Sequence, residues 1–282
     1  MPAAPTVAGR VLTITGLTIT GGRMNQPKKS LGQHWLHNAE ALAAVADAAD
    51  IGAEDVVLEV GPGLGTLTEV LTSRAHQVIA VELDEKLAAD LEKSAAANLL
   101  IVKDDILKFD LSGLPADYKV VANIPYYLTS NLLRVLSESV NPPAAMSLLV
   151  QKEVAERIAA KPGQMSLLSV SVQMYYKPEL ARVVEAELFT PPPKVDSQII
   201  ALTRYDNPLL EGIDIKLFFR VVKAGFSERR KKLRSSLAAG LQIEKAGADE
   251  ILSAAGVDGD KRAQELSLED WHRIYNCVTS LL

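Results

Sequence analysis

The chain of 282 residues has a single cysteine, Cys277. That excludes an internal disulfide and fits a reducing, cytoplasmic setting. Histidine is scarce too: His34, His37, His76 and His272 do not stand at metal-ligand spacing with each other or with Cys277, so no metal is expected. No apolar run approaches the roughly 20 residues that cross a bilayer. The first residues lack the basic start and cleavage site of a secretory signal. The expected protein is a cytoplasmic monomer with no membrane partner. A basic surplus is also missing, since the net charge is −5. Taken alone this argues against a nucleic-acid partner, but binding depends on local clusters rather than on the average. Between Lys216 and Arg234 there are eight basic residues and one acid. That asymmetry is the informative quantity.

What is present describes a globular protein. Hydrophobic content is 48% and charged content 23%, enough for one large domain and a small one. Residues 1–24 alternate apolar residues with Thr but are broken by Gly9, Gly16, Gly21 and Gly22. They are read as an extension, with the working chain beginning near Met24. Apolar runs at 56–60, 77–81, 99–102, 119–122 and 146–150 then alternate with helical patterns at 39–50, 66–73, 85–96, 129–139 and 151–160. This order predicts a parallel sheet covered by helices. Stretches 167–175, 182–188 and 198–204 read as strands that add an antiparallel part. Helices near 214–226, 228–239, 245–255 and 267–280 follow. The expected organisation is an extension (1–24), a larger α/β domain (25–206) and a small all-α domain (207–282).

Asn123-Ile124-Pro125-Tyr126 stands where the run 119–122 ends. In open α/β sheets ligands bind beyond the carboxyl ends of the strands. The Asn123 amide oxygen and the Ile124 carbonyl can each accept one hydrogen of an exocyclic amine, with Pro125 fixing the corner and Tyr126 offering a ring for a base to stack on. Glu59-Val60-Gly61-Pro62-Gly63-Leu64-Gly65 follows the first run, and its glycines let the backbone approach a ligand. Glu82 ends the second run, about twenty residues past Gly61, where a carboxylate can hold both hydroxyls of a ribose. Asp105, or less readily Asp104, ends the third and can accept an adenine amine. Pro62 in the turn and Glu59 beside it disfavour a pyrophosphate. They suit a cationic cofactor, S-adenosylmethionine.

With these motifs in one order, the chain resembles the ribosomal RNA adenine dimethyltransferases from about Lys28 onward. Lys28-Lys29-Ser30-Leu31-Gly32-Gln33-His34-Trp35-Leu36 is similar to the family's N-terminal cofactor motif. Residues 188–197 and 226–237 are similar to its later signatures. The resemblance implies a Rossmann-like methyltransferase fold, a mostly parallel seven-stranded sheet with one antiparallel strand, plus a small all-α C-terminal domain. It implies dimethylation of N6 on two adjacent adenosines in the 3′-terminal hairpin of small-subunit rRNA, with a role in small-subunit biogenesis. Gly61, Glu82, Asp105 and Asn123 would contact the cofactor, with Gly63, Leu83 and Ile106 beside them and His34 and Leu36 contributing from the N-terminal motif. The commoner pattern there is Gly-Gln-Asn-Phe-Leu, so His34 and Trp35 are departures.

A flipped adenine would stack on Tyr126, with Phe189 as the candidate for its other face; Tyr127 is read as structural. No catalytic base is expected, because the methylated amine is cationic and loses its proton readily. Lys28, Lys29, Arg229, Arg230, Lys231, Lys232 and Arg234 are the expected phosphate contacts. Residues 228–237 are read as one amphipathic helix, with Arg230 and Arg234 on a common stripe. Three other readings remain: a large-subunit rRNA adenine methyltransferase of the antibiotic-resistance type, a mainly RNA-binding assembly factor, and an NAD-linked dehydrogenase.

Overall fold

The computed structural model describes residues 27, 32–93, 96–207, 209–210 and 212–280; residues 1–24, Lys28 and Lys29 lie outside these. A short strand β1 (Trp35–Leu36) leads into α1 (Ala39–Asp47), whose first turn is capped by the Asn38 carboxamide on the Ala41 N–H. The alternation then runs β2 (Val56–Val60), α2 (Thr66–Thr72), β3 (Gln77–Glu82), α3 (Glu85–Glu92) and β4 (Leu99–Lys103). It continues through β5 (Lys119–Asn123), α4 (Thr129–Ser137), β6 (Ala145–Gln151), α5 (Lys152–Ile158) and α6 (Leu167–Gln173). Strands β7 (Tyr176–Val184), β8 (Phe189–Thr190) and β9 (Ser197–Arg204) complete this part.

The large sheet has the order β4-β3-β2-β5-β6-β9-β7. Its pairings are parallel from β4 to β6, and β9 runs against both its neighbours. β2 is buried from Val57 to Val60 without alternation, as expected for a strand covered on both faces. Chain order reverses between β2 and β5, so a crevice opens at their carboxyl ends. β1 does not join this sheet. It pairs antiparallel with β8, Trp35 opposite Thr190 and Leu36 opposite Phe189.

The remaining helices are α7 (Ile215–Phe226), α8 (Leu233–Leu241), α9 (Lys245–Ala254) and α10 (Leu268–Thr279). They share a core around Phe218, Leu233 and the fully buried Trp271. That core also takes in Met165, Val170 and Met174, so the helical layer is packed onto α6.

Three expectations are corrected. The stretch 167–175 is the helix α6, not a strand, because Ser166 and Ser169 form a reciprocal capping box at its start. Its β-branched Val170 and Val172 carry a strand-like signal that the cap overrides. The strand expected at 182–188 is β7, which begins earlier and passes through Pro178; as an edge strand it tolerates the lost donor. Residues 186–188 are a single helical turn. Helix α8 begins at Leu233, not near 228. Its first free N–H groups, from Leu233 and Arg234, donate to the carbonyls of Lys261 and Gly259 and fix the start there. Arg230 therefore lies outside the helix and does not share a stripe with Arg234.

Candidate active site

Beyond the carboxyl ends of β2, β3, β4 and β5 lies a cavity of about 250 Å³. Gly61, Gly63, Glu82, Leu83, Asp105, Ile106, Asn123, Ile124, Pro125 and Tyr126 all line it, as do His34 and Leu36 from the N-terminal segment. Residues from 34 to 126 thus converge on one space. The glycine turn shows why sequence and shape agree. Gly61 has a φ of +67° and faces open space, whereas a Cβ on Gly65 (φ +83°) would meet Leu91 Cδ2 at 2.5 Å.

The acids are differently engaged. Glu82 accepts the Gly63 N–H through Oε2 (3.0 Å) and the Asp84 N–H through Oε1 (2.8 Å). Burial raises its pKa and these N–H groups oppose the rise. Asp105 accepts the Leu107 N–H at 3.1 Å, with Lys108 Nζ 3.9 Å away; Asp104 accepts the Asp105 N–H at 2.7 Å. Glu59 is 1% exposed and neither oxygen has a hydrogen-bond partner among the described residues. Burial pushes it up to about 8; the Thr68 hydroxyl opposes this without closing a hydrogen bond, and Glu82 adds repulsion. Among the described residues the lining carries four carboxyl groups and no Lys or Arg.

At the end of β5 the Asn123 Nδ2 donates to the His34 carbonyl at 3.2 Å. The amide is therefore held with Oδ1 left as an acceptor. Tyr126 donates to, or accepts from, Ser197 Oγ at 2.9 Å, and burial raises its pKa against that bond. The His34 ring lies over Tyr126, with centroids 5.8 Å apart and planes 19° from parallel. Nδ1 of His34 is 2.7 Å from the Pro191 carbonyl. A carbonyl only accepts, so in that contact Nδ1 carries the hydrogen.

Several expectations change here. Phe189 does not line the cavity; it is 3% exposed and packs in the core with Leu36, Val184 and Ile199. Its pairing in β8 opposite Leu36 turns it inward, and the ring facing Tyr126 is His34. The Leu36 carbonyl already accepts from Thr66 Oγ1 at 3.0 Å. Tyr127, read as structural, is 63% exposed. Leu83 is more than half exposed at the rim. Reasoning from sequence also passed over Trp35, whose Nε1 is buried without a partner beside Gly63.

The basic cluster divides in two. Arg229, Arg230 and Lys231 are exposed in the turn before α8. Lys232 instead pairs with Asp260 at 3.1 Å, and Arg234 with Asp260 at 2.6 Å and Asp249 at 3.4 Å. Lys216, Arg220 and Lys223, one helical turn apart on α7, line an open groove floored by Ala224 and Gly240. That i, i+4, i+7 spacing was the available signal.

Two solved structures share this architecture. The 23S rRNA methyltransferase ErmE superposes with a TM-score of 0.71 at 30% identity, covering 87% of this chain and 99% of that one. A dimethyladenosine transferase from Plasmodium falciparum gives 0.74 at 26% identity, covering 86% and 96%. The fold is that of the Rossmann-like methyltransferases, with a helical C-terminal region. Within that class, residues 24–280 match the ribosomal RNA adenine dimethylase family, and the chain belongs to it. It is 44% identical to ribosomal RNA small subunit methyltransferase A of Dehalococcoides mccartyi (strain CBDB1) over 88% of its length and 87% of the relative's. To the protein of the same name from Shouchella clausii it is 38% identical, over 99% and 96%.

Proposed function

We propose that the protein transfers methyl groups from S-adenosylmethionine to N6 of two adjacent adenosines in the 3′-terminal hairpin of small-subunit rRNA, and so serves small-subunit biogenesis. The observation that carries this is the opening of the Asn123–Tyr126 corner into the same cavity as the glycine turn and its acids. Four carboxyl groups with no lining Lys or Arg among the described residues suit a cationic cofactor and disfavour a pyrophosphate. When bound, S-adenosylmethionine supplies an electrophilic methyl group on a sulfonium. Glu82 would hold the ribose and Asp105 the adenine amine, with Gly61 and Gly63 allowing close approach and Leu83 and Ile106 packing on the ring.

The target amine is a poor nucleophile because its lone pair is delocalised into the ring. Accepting one N–H at Asn123 Oδ1 and the other at the Ile124 carbonyl turns that lone pair toward the methyl group. Positioning of this kind is worth several kcal/mol of barrier. Tyr126 forms one wall for the flipped base and His34 the other. With their centroids 5.8 Å apart, the two rings part to admit a base between them. Arg229, Arg230 and Lys231, together with the groove of Lys216, Arg220 and Lys223, form the phosphate track. Lys232 and Arg234 brace the fold through Asp260 and Asp249.

The test is labelled methyl transfer from S-adenosylmethionine to unmodified small and large subunits, with the product nucleoside identified and mapped by primer extension. N6,N6-dimethyladenosine at both hairpin positions of the small subunit is expected. Label confined to large-subunit rRNA would establish the resistance-type reading instead. RNA binding without transfer would leave only an assembly role.

A further inference from the structure

Among the described residues Tyr127, at 63%, is the one Phe, Tyr or Trp that is exposed. A single exposed ring is ordinary on a protein surface. This one stands at the mouth of the cavity, next in sequence to the ring that forms its wall. Tyr126–Leu128 is a single helical turn of the tight, three-residue kind. Successive side chains in such a turn point about a third of a circle apart. Tyr126 turns inward to Ser197 and Tyr127 outward, so the two rings cannot serve the same base. The turn is tied at both ends: the Leu128 N–H donates to the Pro125 carbonyl at 2.9 Å, and Thr129 Oγ1 to the Tyr126 carbonyl at 3.1 Å. A Cβ on Gly32 would stand 3.4 Å from Tyr127 Cε1, so residue 32 flanks one edge of the ring. The result is a fixed, flat face beside the site and open to solvent.

We propose that Tyr127 is the platform on which the waiting adenosine stacks while its neighbour is methylated at the Asn123–Tyr126 corner. The inference rests on the proposed substrate, a pair of adjacent adenosines. Drawing one base out of the hairpin uncovers a face of the next, which loses its stacking partner. The phenol at the mouth replaces that partner. Stacking on an aromatic ring tolerates any base, so an adenine that already carries two methyl groups is held as well as a bare one. The platform occupies one side of the mouth. A strand passes through the site in one direction, so the neighbour falls on that side for only one of the two adenosines. Tyr127 therefore assists one methylation and not the other, and separates two targets that the corner itself treats alike.

Unmodified small subunits serve as substrate, and mass spectrometry of the excised hairpin counts the methyl groups on each adenosine. Tyr127→Leu keeps apolar bulk and loses the π-face. It is expected to lower kcat/KM at one adenosine about tenfold and to leave the other within about twofold. Tyr127→Phe restores the wild-type pattern, with the Kd for S-adenosylmethionine and the Tm unchanged in both variants. A second measurement needs no variant protein: an abasic nucleotide replaces one adenosine or the other in the subunit. The wild type then methylates the remaining adenosine slowly in one substrate and at its usual rate in the other. Equal loss at both adenosines in Tyr127→Leu, or loss at neither, overturns the proposal, as does equal behaviour of the two abasic substrates. A weaker Kd for S-adenosylmethionine in Tyr127→Leu gives the ring to the cofactor and overturns it too. No transfer to either adenosine by the wild type is a different result, and removes the substrate reading itself.

Discussion

Asn123 is oriented before any substrate arrives, because its Nδ2 is tied to the backbone of residue 34. Asn123→Ala removes the acceptor and is expected to lower kcat at least a hundredfold, about 3 kcal/mol of barrier. RNA affinity measured by filter binding should stay within about threefold. His34→Ala removes a stacking wall and should raise KM for RNA roughly tenfold, with the cofactor Kd within twofold and rescue by His34→Phe. A shift in cofactor Kd with KM for RNA unchanged would place the imidazole on the cofactor instead. Glu59 makes a separate prediction about folding. Its folded pKa lies above the ordinary 4.5, so between about pH 4.5 and 8 the native protein binds more protons than the unfolded chain. The stability it contributes is complete below 4.5 and is lost as pH rises through 8. On the order of 3 kcal/mol disappears by pH 7, and urea denaturation of Glu59→Gln should show that slope flattened.

Elements were legible in the sequence where local chemistry decides them. The runs that became β2, β3, β5 and β6 stood out because strands buried on both faces are continuously apolar, whereas β4, at the sheet edge, is apolar but part-exposed. The glycine turn stood out because glycines at alternate positions after an apolar run are a local pattern, although its backbone is then held by Val81 and Glu82. Which ring faces Tyr126 was not legible. It depends on β1 pairing with β8, a register between segments far apart in the chain, and that pairing turns Phe189 inward and brings His34 across. The start of α8 was hidden for the same reason, since its N–H groups are satisfied by residues 259–261. Where α7 and α8 cross, a Cβ on Gly240 would stand 2.4 Å from the Ala224 Cα. Gly240→Ala should therefore force the helices apart and cost about 1–3 kcal/mol, visible as a lower Tm.

At the scale of the whole molecule, a chain of net charge −5 gathers Lys216, Arg220 and Lys223 on the α7 face and Arg229, Arg230 and Lys231 in the turn before α8. We propose residues 207–282 as the RNA-binding part, although their core is continuous with α6. Replacing Lys216, Arg220 and Lys223 together with Gln should reduce the slope of log affinity against log salt by about 2–3, with kcat at saturating RNA unchanged. Replacing Lys232 and Arg234 should lower Tm and leave the slope alone. One further consequence follows from the β1–β8 pair. His34 meets Pro191 across 157 positions of chain, so a wall made of the earliest described residues waits for a strand made much later. A nascent chain carries the glycine turn and the Asn123 corner with the crevice still open while residues 127 to 191 are made. Until residue 191 has left the exit tunnel the His34 imidazole lacks its carbonyl anchor, and premature termination before that point also removes β9, the strand between β6 and β7.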